Sequence, residues 1–174
     1  MNAQCIMVCS GKGGTGKSTV SVLLGACLAR LGRKTLLVEL DSGLRSVDII
    51  AGVYGRTVYD IEDVLCGRCE GAKAVVPSPL YPGLSVISAP YEGGAVEAAP
   101  LGRLLTAMRP YFDFILLDTA AAWARRSRHA AGKRTVFQAR SRLYNLFNDR
   151  RINFHRWNIG YLQCQSHRKK EENR

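Results

Sequence analysis

The 174-residue sequence predicts an α/β fold: a mostly parallel sheet with helices on both faces. Three observations predict it. Short apolar runs alternate with segments of helical period from residue 3 to residue 118. A glycine cluster joins the first apolar run to the first helical segment. Carboxylates stand at the carboxyl ends of later runs, which is where open parallel sheets place their ligands.

Taken in order, "AQCIMVCS" reads as a buried strand that stops at glycine. "STVSVLLGACLARLGRK" has apolar residues at helical spacing and basic residues in its last turn, with Gly32 placed to end it. "KTLLVELD" is a second strand. "VDIIAGVYG" and "VYDIEDVLCG" are short helices, each stopped by glycine. "LSVISAP" is a third strand, "AVEAAPLGRLLTAMRP" a helix with Pro100 near its start, and "FDFILLD" a fourth strand ending at Asp118.

The net charge of +11 is not spread along the chain. Residues 1–120 carry 11 basic and 11 acidic residues, and residues 121–174 carry 14 basic and 3 acidic. After Asp118 the apolar residues keep neither a strand nor a helix period. The expected organisation is therefore a nucleotide-binding part at 1–121, followed at 122–174 by a basic tail of foreign composition. The tail is expected to be disordered or the product of a frameshift, a truncation or a sequence error. On that expectation the fold is incomplete at its C-terminal end, with an apolar sheet edge and a marginally stable chain. No run reaches the roughly 18 apolar residues of a membrane span. The opening "MNAQCIMVCS" has no basic stretch ahead of its apolar run, so it is not read as a signal peptide, and the six cysteines of the chain are expected reduced in a cytosol. The lone Cys66-Gly-Arg-Cys69 lacks a second pair for zinc and reads as ordinary thiols at a helix end.

Gly11, Lys12, Gly13, Gly14, Thr15, Gly16, Lys17 and Ser18 fit G-x-x-x-x-G-K-[ST] between a strand and a helix, with Thr19 next in the helix. Glycines let successive N–H groups turn toward one centre, and the helix that follows aims its positive end at the same point. Such a loop holds a nucleoside triphosphate, with Lys17 on the β- and γ-phosphates and Ser18 on Mg²⁺. This makes the fold that of a P-loop NTPase.

Lys12, directly after the first glycine, goes beyond an ordinary P-loop. "GKGGTGKST" resembles the deviant loop of the MinD/ParA class of ATPases, and "VELDSGLRSVD" is similar to that class at Glu39, Asp41, Gly43, Leu44, Arg45 and Asp48. The resemblance covers roughly residues 3–121. It implies an ATP-dependent homodimer in which Lys12 reaches phosphate, Asp41 orients or activates the attacking water, and Glu39 supports the phosphate and metal site. Asp118 would hold Mg²⁺ through water. Lys12, Lys17 and Asp41 are thus the expected catalytic residues, and Ser18, Asp118 and Glu39 the expected metal residues. Glu39 stands where the class usually has Asp, and Ala120 and Ala122 replace the proline and glycine expected after Asp118 and Thr119.

"GLRSVD" favours the MinD side of the class, hence placement of the division site. The implied setting is cytoplasmic and peripheral at the inner face of the plasma membrane, with an activator of the MinE type. The class's C-terminal membrane helix is not found in the tail. Plasmid or chromosome partitioning and flagellar-number control share the same site and remain alternatives. So do nucleic-acid binding through the basic tail and an inactive truncated fragment.

Overall fold

The computed structural model describes residues 3–8, 13–93 and 97–120. Gly11, Lys12 and the whole tail, on which the frameshift and nucleic-acid expectations rest, lie outside the described residues.

Five strands form one sheet: β1 (Gln4–Val8), β2 (Thr35–Glu39), β3 (Val76–Pro77), β4 (Leu84–Ile87) and β5 (Phe114–Asp118). Their order is β1-β5-β2-β4-β3. β1, β5, β2 and β4 run parallel, and β3 alone is antiparallel, pairing Val76 with Val86. The expected mostly parallel sheet is what the structure shows. β2 and β5 are buried along their whole length, and their Leu, Ile, Val and Phe residues suit strands covered on both faces.

The strand period of two sends neighbouring side chains to opposite layers. Cys5, Leu36, Val38, Ile115 and Leu117 share a core with Ile61 of α3 (Ile61–Leu65), Ala74 of α4 (Gly71–Ala74) and Leu101, Leu104, Leu105 and Met108 of α5 (Ala98–Met108). Leu84 and Leu116 point the other way, toward α1 (Lys17–Arg30). A Cβ on Gly25 of that helix would stand 2.8 Å from Leu84 Cδ1 and 3.4 Å from Leu116 Cδ1. A glycine in mid-helix costs about 1 kcal/mol against alanine, and here it lets α1 lie close on the sheet. The remaining helix, α2 (Ser46–Ala51), follows β2 and packs beside α1.

α1 ends as its sequence predicts. Gly32 adopts φ 76°, and its N–H donates to the Ala29 carbonyl. α3 starts at a capping box in which the Asp60 carboxylate accepts from the Glu62 and Asp63 N–H groups and Asp63 reaches back to the Asp60 N–H. Neither α4 nor β3 follows from periodicity, because each is too short to show one. Pro77 fits an edge strand, where a missing N–H costs little.

Candidate active site

The parallel register brings three strand ends level. Asp118 pairs across with Val8 on one side and Glu39 on the other. Backbone bonds tie these ends together: the Leu40 N–H donates to the Asp118 carbonyl, and the Thr119 hydroxyl to the Val8 carbonyl at 3.0 Å. The glycine loop leaves β1 at this end, and α1 begins directly after it.

Within the loop, Gly14 and Gly16 have φ of 69° and 79°, a left-handed backbone that side-chain-bearing residues seldom take. Gly16 occupies the N-cap of α1, and no side chain caps the helix there. The first turn of a helix has N–H groups without intrahelical acceptors and a positive dipole end, which together suit an anion. Lys17 and Ser18 are the first two residues of that turn.

Asp118 sits beneath the turn, fully buried. Its Oδ1 accepts from the Ser21 hydroxyl at 3.0 Å, and its Oδ2 has no hydrogen-bond partner among the described residues. Burial raises its pKa. Hydrogen bonding from Ser18 and Ser21 and the Lys17 charge act the other way, while Asp41 adds a smaller upward push. The Ser18 hydroxyl is thus near enough to favour the carboxylate without completing a bond to Oδ2. A buried carboxylate oxygen without a partner, beside a serine hydroxyl, is a donor set that fits a hydrated divalent cation. Ser18 and Asp118 would hold it.

Asp41 lies just beyond β2, half-buried, in a cleft of about 80 Å³ shared with Ser18, Glu39, Ser42 and Arg45. Since one water needs roughly 10–15 Å³ of such space, the cleft admits a few waters, a water nucleophile among them, but not a base and sugar. Asp41 does not cap α2. The N-cap there is Arg45, four residues later.

Glu39 is 1 % exposed. Its Oε1 accepts from the Val47 N–H at 3.2 Å and its Oε2 from the Ala89 N–H at 3.4 Å. Burial raises its pKa to about 7, with Asp48 and Asp118 adding to the rise and the two backbone bonds opposing it. Each of its oxygens accepts one N–H and keeps a second lone pair.

Arg45 and Asp48, two of the residues that carry the family resemblance, form a buried ion pair. Arg45 Nε donates to Asp48 Oδ2 at 2.7 Å, and Nη2 lies 2.6 Å from the same oxygen. Arg45 takes φ 46° and ψ 44° and is the non-glycine residue with positive φ among those described, a conformation that costs on the order of 1–2 kcal/mol. Asp48 Oδ1 accepts from the Ser88 hydroxyl at 2.5 Å.

The sequence reading missed Ser21 and Ser88. Ser21 had a signal, since a small polar residue three after Ser18 falls on the same helical face. Ser88, at the end of β4, had none.

A larger cavity of about 250 Å³ lies between α3 and α5, lined by Val64, Leu65, Leu104 and Met108 with Cys69 and Arg103. It contains no carboxylate and lies away from the strand ends, so it is not the candidate site. Cys66 is exposed at the end of α3, and burial pushes the Cys69 thiol up. Among the described residues no group of three or more His, Cys, Asp or Glu is placed to hold a metal ion, and no helix is long and apolar enough to cross a membrane.

Comparison with known proteins agrees with this geometry. Residues 6–150 match the family model described as the CobQ/CobB/MinD/ParA nucleotide binding domain. The septum site-determining protein MinD of Synechocystis sp. is 40 % identical over 118 residues, 67 % of this chain and 44 % of that protein. Among solved structures, the MinC:MinD cell division protein complex of Aquifex aeolicus matches with a TM-score of 0.61 and 36 % identity, over 67 % of this chain and 47 % of that one. The septum site-determining protein MinD complexed with Mg-ADP from Pyrococcus horikoshii OT3 matches with a TM-score of 0.56 and 27 % identity, over 67 % and 48 %. The chain spans under half the length of the curated relatives it matches. A strand–glycine-loop–helix unit with a buried aspartate at the adjoining strand end, matched by a family model over most of its length, has one reading: the chain belongs to the CobQ/CobB/MinD/ParA nucleotide-binding family.

Proposed function

We propose that this chain carries the phosphate and metal side of a Mg²⁺-dependent ATPase of the MinD type, acting through an ATP-dependent homodimer in placing the division septum. The observation that carries the reading is Asp118, buried with an unpartnered oxygen directly under the first turn of α1 beside Ser18 and near the Lys17 charge. The Mg-ADP bound to the Pyrococcus MinD supports the ligand, and the partner protein in the Aquifex complex supports a role in a division assembly. The Gly43, Leu44, Arg45 and Asp48 pattern favours the MinD side over partitioning relatives that share the loop.

In this reading the loop N–H groups and Lys17 neutralise the phosphates, and Lys12 adds a second cation. Mg²⁺, when bound, supplies charge stabilisation at the phosphate oxygens. Ser18 and Asp118 hold it. Asp41 accepts a hydrogen bond from the water that attacks the γ-phosphorus, orienting its lone pair and taking up its proton as the bond to the β–γ bridging oxygen breaks. Glu39, level with Asp118 on the neighbouring strand, supports the phosphate and metal site while its carboxylate also accepts from the Val47 and Ala89 N–H groups. The working location is the cytoplasmic face of the membrane, and an activating protein of the MinE type is the expected partner.

Asp41→Asn tests the assignment of the water. Phosphate release by the purified chain should fall by about 10²-fold or more, while ATP still binds. Equal rates for the variant and the wild type would remove Asp41 from the chemistry.

A further inference from the structure

Four consecutive residues after β4 each hold the segment that carries Asp41. The Ser88 hydroxyl donates to Asp48. The Ala89 N–H donates to Glu39. The Pro90 carbonyl accepts from the Gly43 N–H at 3.2 Å. The Tyr91 ring lies 4.3 Å from the Arg45 guanidinium carbon. Residues 39–48 are thus laid against residues 88–91 by a carboxylate, a backbone bond, a hydroxyl and a cation–ring contact.

Arg45 is the centre of this arrangement. It is 5 % exposed, although Leu44 beside it is 87 % exposed. Its backbone is left-handed and its guanidinium lies between Asp48 and Tyr91. A left-handed arginine persists only where its surroundings hold it there. The turn at residues 42–45 therefore keeps its path because the side chain is clamped, and Asp41 is the residue that enters the turn.

We propose that Arg45 is a positioning residue for Asp41: clasped between Asp48 and Tyr91, it fixes the 41–46 loop on the end of β4 so that the Asp41 carboxylate faces the Ser18 cleft. The proposal rests on the reading of Asp41 as the residue that serves water. Arg45 acts through the loop and not on the nucleotide.

The test uses the purified 174-residue chain and two variants. Arg45→Lys keeps the charge but loses the two-pronged grip on Asp48 Oδ2 and the flat face against the ring. Tyr91→Leu removes an aromatic ring that is 56 % exposed, a change the fold tolerates if the lysine variant does not fold. Amide hydrogen exchange is read at Gly43 and Val47, with thermal melting, affinity for a non-hydrolysable ATP analogue and single-turnover ATP hydrolysis.

The expected result is exchange about tenfold or more faster at these two amides and unchanged in α1 and β5. Hydrolysis should slow by about tenfold, with analogue affinity within about twofold of wild type. Unchanged exchange at Gly43 and Val47 would overturn the proposal. So would faster exchange throughout the chain with a lowered melting temperature, because Arg45 would then be a general fold residue. The readings separate cleanly. If Asp41→Asn hydrolyses ATP like the wild type, the reading of Asp41 fails, and exchange alone still decides whether Arg45 holds the loop.

Discussion

Asp118→Asn is expected to raise the melting temperature of the nucleotide-free chain by several degrees while cutting Mg²⁺-dependent hydrolysis by on the order of 10²–10³-fold. The two effects share one cause. With no cation bound, the carboxylate is fully buried, one oxygen has no hydrogen-bond partner among the described residues, and burial raises its pKa. The sign follows from linkage. A carboxyl whose folded pKa is raised destabilises the fold in its ionised form, and the penalty is complete once pH exceeds the folded pKa. An uncharged amide removes that penalty. Its oxygen can still accept from Ser21, and its NH₂ can donate to Ser18, so a buried orphan worth about 1–3 kcal/mol disappears. The same change removes the anionic oxygen that would hold the metal. Thermal melting without nucleotide at pH 8, paired with phosphate release in Mg²⁺, reads both effects. A lowered melting temperature would mean that the carboxylate is fully satisfied in the free chain.

Glu39→Gln is expected to flatten the pH dependence of stability. Glu39 has its pKa raised to about 7 by burial first and by Asp48 and Asp118 second. Its contribution is therefore most favourable below the ordinary glutamate range and is lost as pH rises through 7. The displacement from 4.5 corresponds to about 3 kcal/mol between acidic and alkaline limits. Glutamine copies the neutral form and keeps an acceptor for the Val47 N–H. It gives up the longer, 3.4 Å bond from Ala89. Urea unfolding at steps from pH 5 to pH 8 should show the wild type losing stability and the variant losing less. Asp118, shifted in the same direction, keeps some slope in both. Parallel curves would show that Glu39 stays ionised at little cost.

Much of this site is legible in the sequence because its parts are local. The glycine loop needs left-handed backbone at fixed places, and Gly14 and Gly16 supply it. The run "FDFILLD" is apolar without interruption and ends in a carboxylate, which marks a central strand with a polar end, and β5 is that strand. The Arg45 and Asp48 pattern was visible as a family mark, but its physics was not. The αL backbone of Arg45 and its contact with Tyr91 arise from a segment some forty residues away.

Glu39 shows the limit most clearly. Its position at the end of β2 marks it as a candidate metal residue, but the bonds its carboxylate accepts from the backbone of α2 and of the β4 end are not legible there. A two-residue edge strand such as β3 carries no period and is set by its pairing with β4 alone. Ser88 becomes important only once β4 lies beside β2. Such roles belong to tertiary contact, and a sequence pattern of period two or 3.6 cannot encode them.

The most direct test of the account is an equilibrium titration of the purified chain with ATP, with and without Mg²⁺, for the wild type and for Lys17→Ala. Binding should be saturable and strengthened by Mg²⁺, with a loss of about 10²-fold or more in affinity when the lysine is removed. Equal affinities for the wild type and Lys17→Ala, or no saturable binding by the wild type, would contradict a nucleotide site at the first turn of α1.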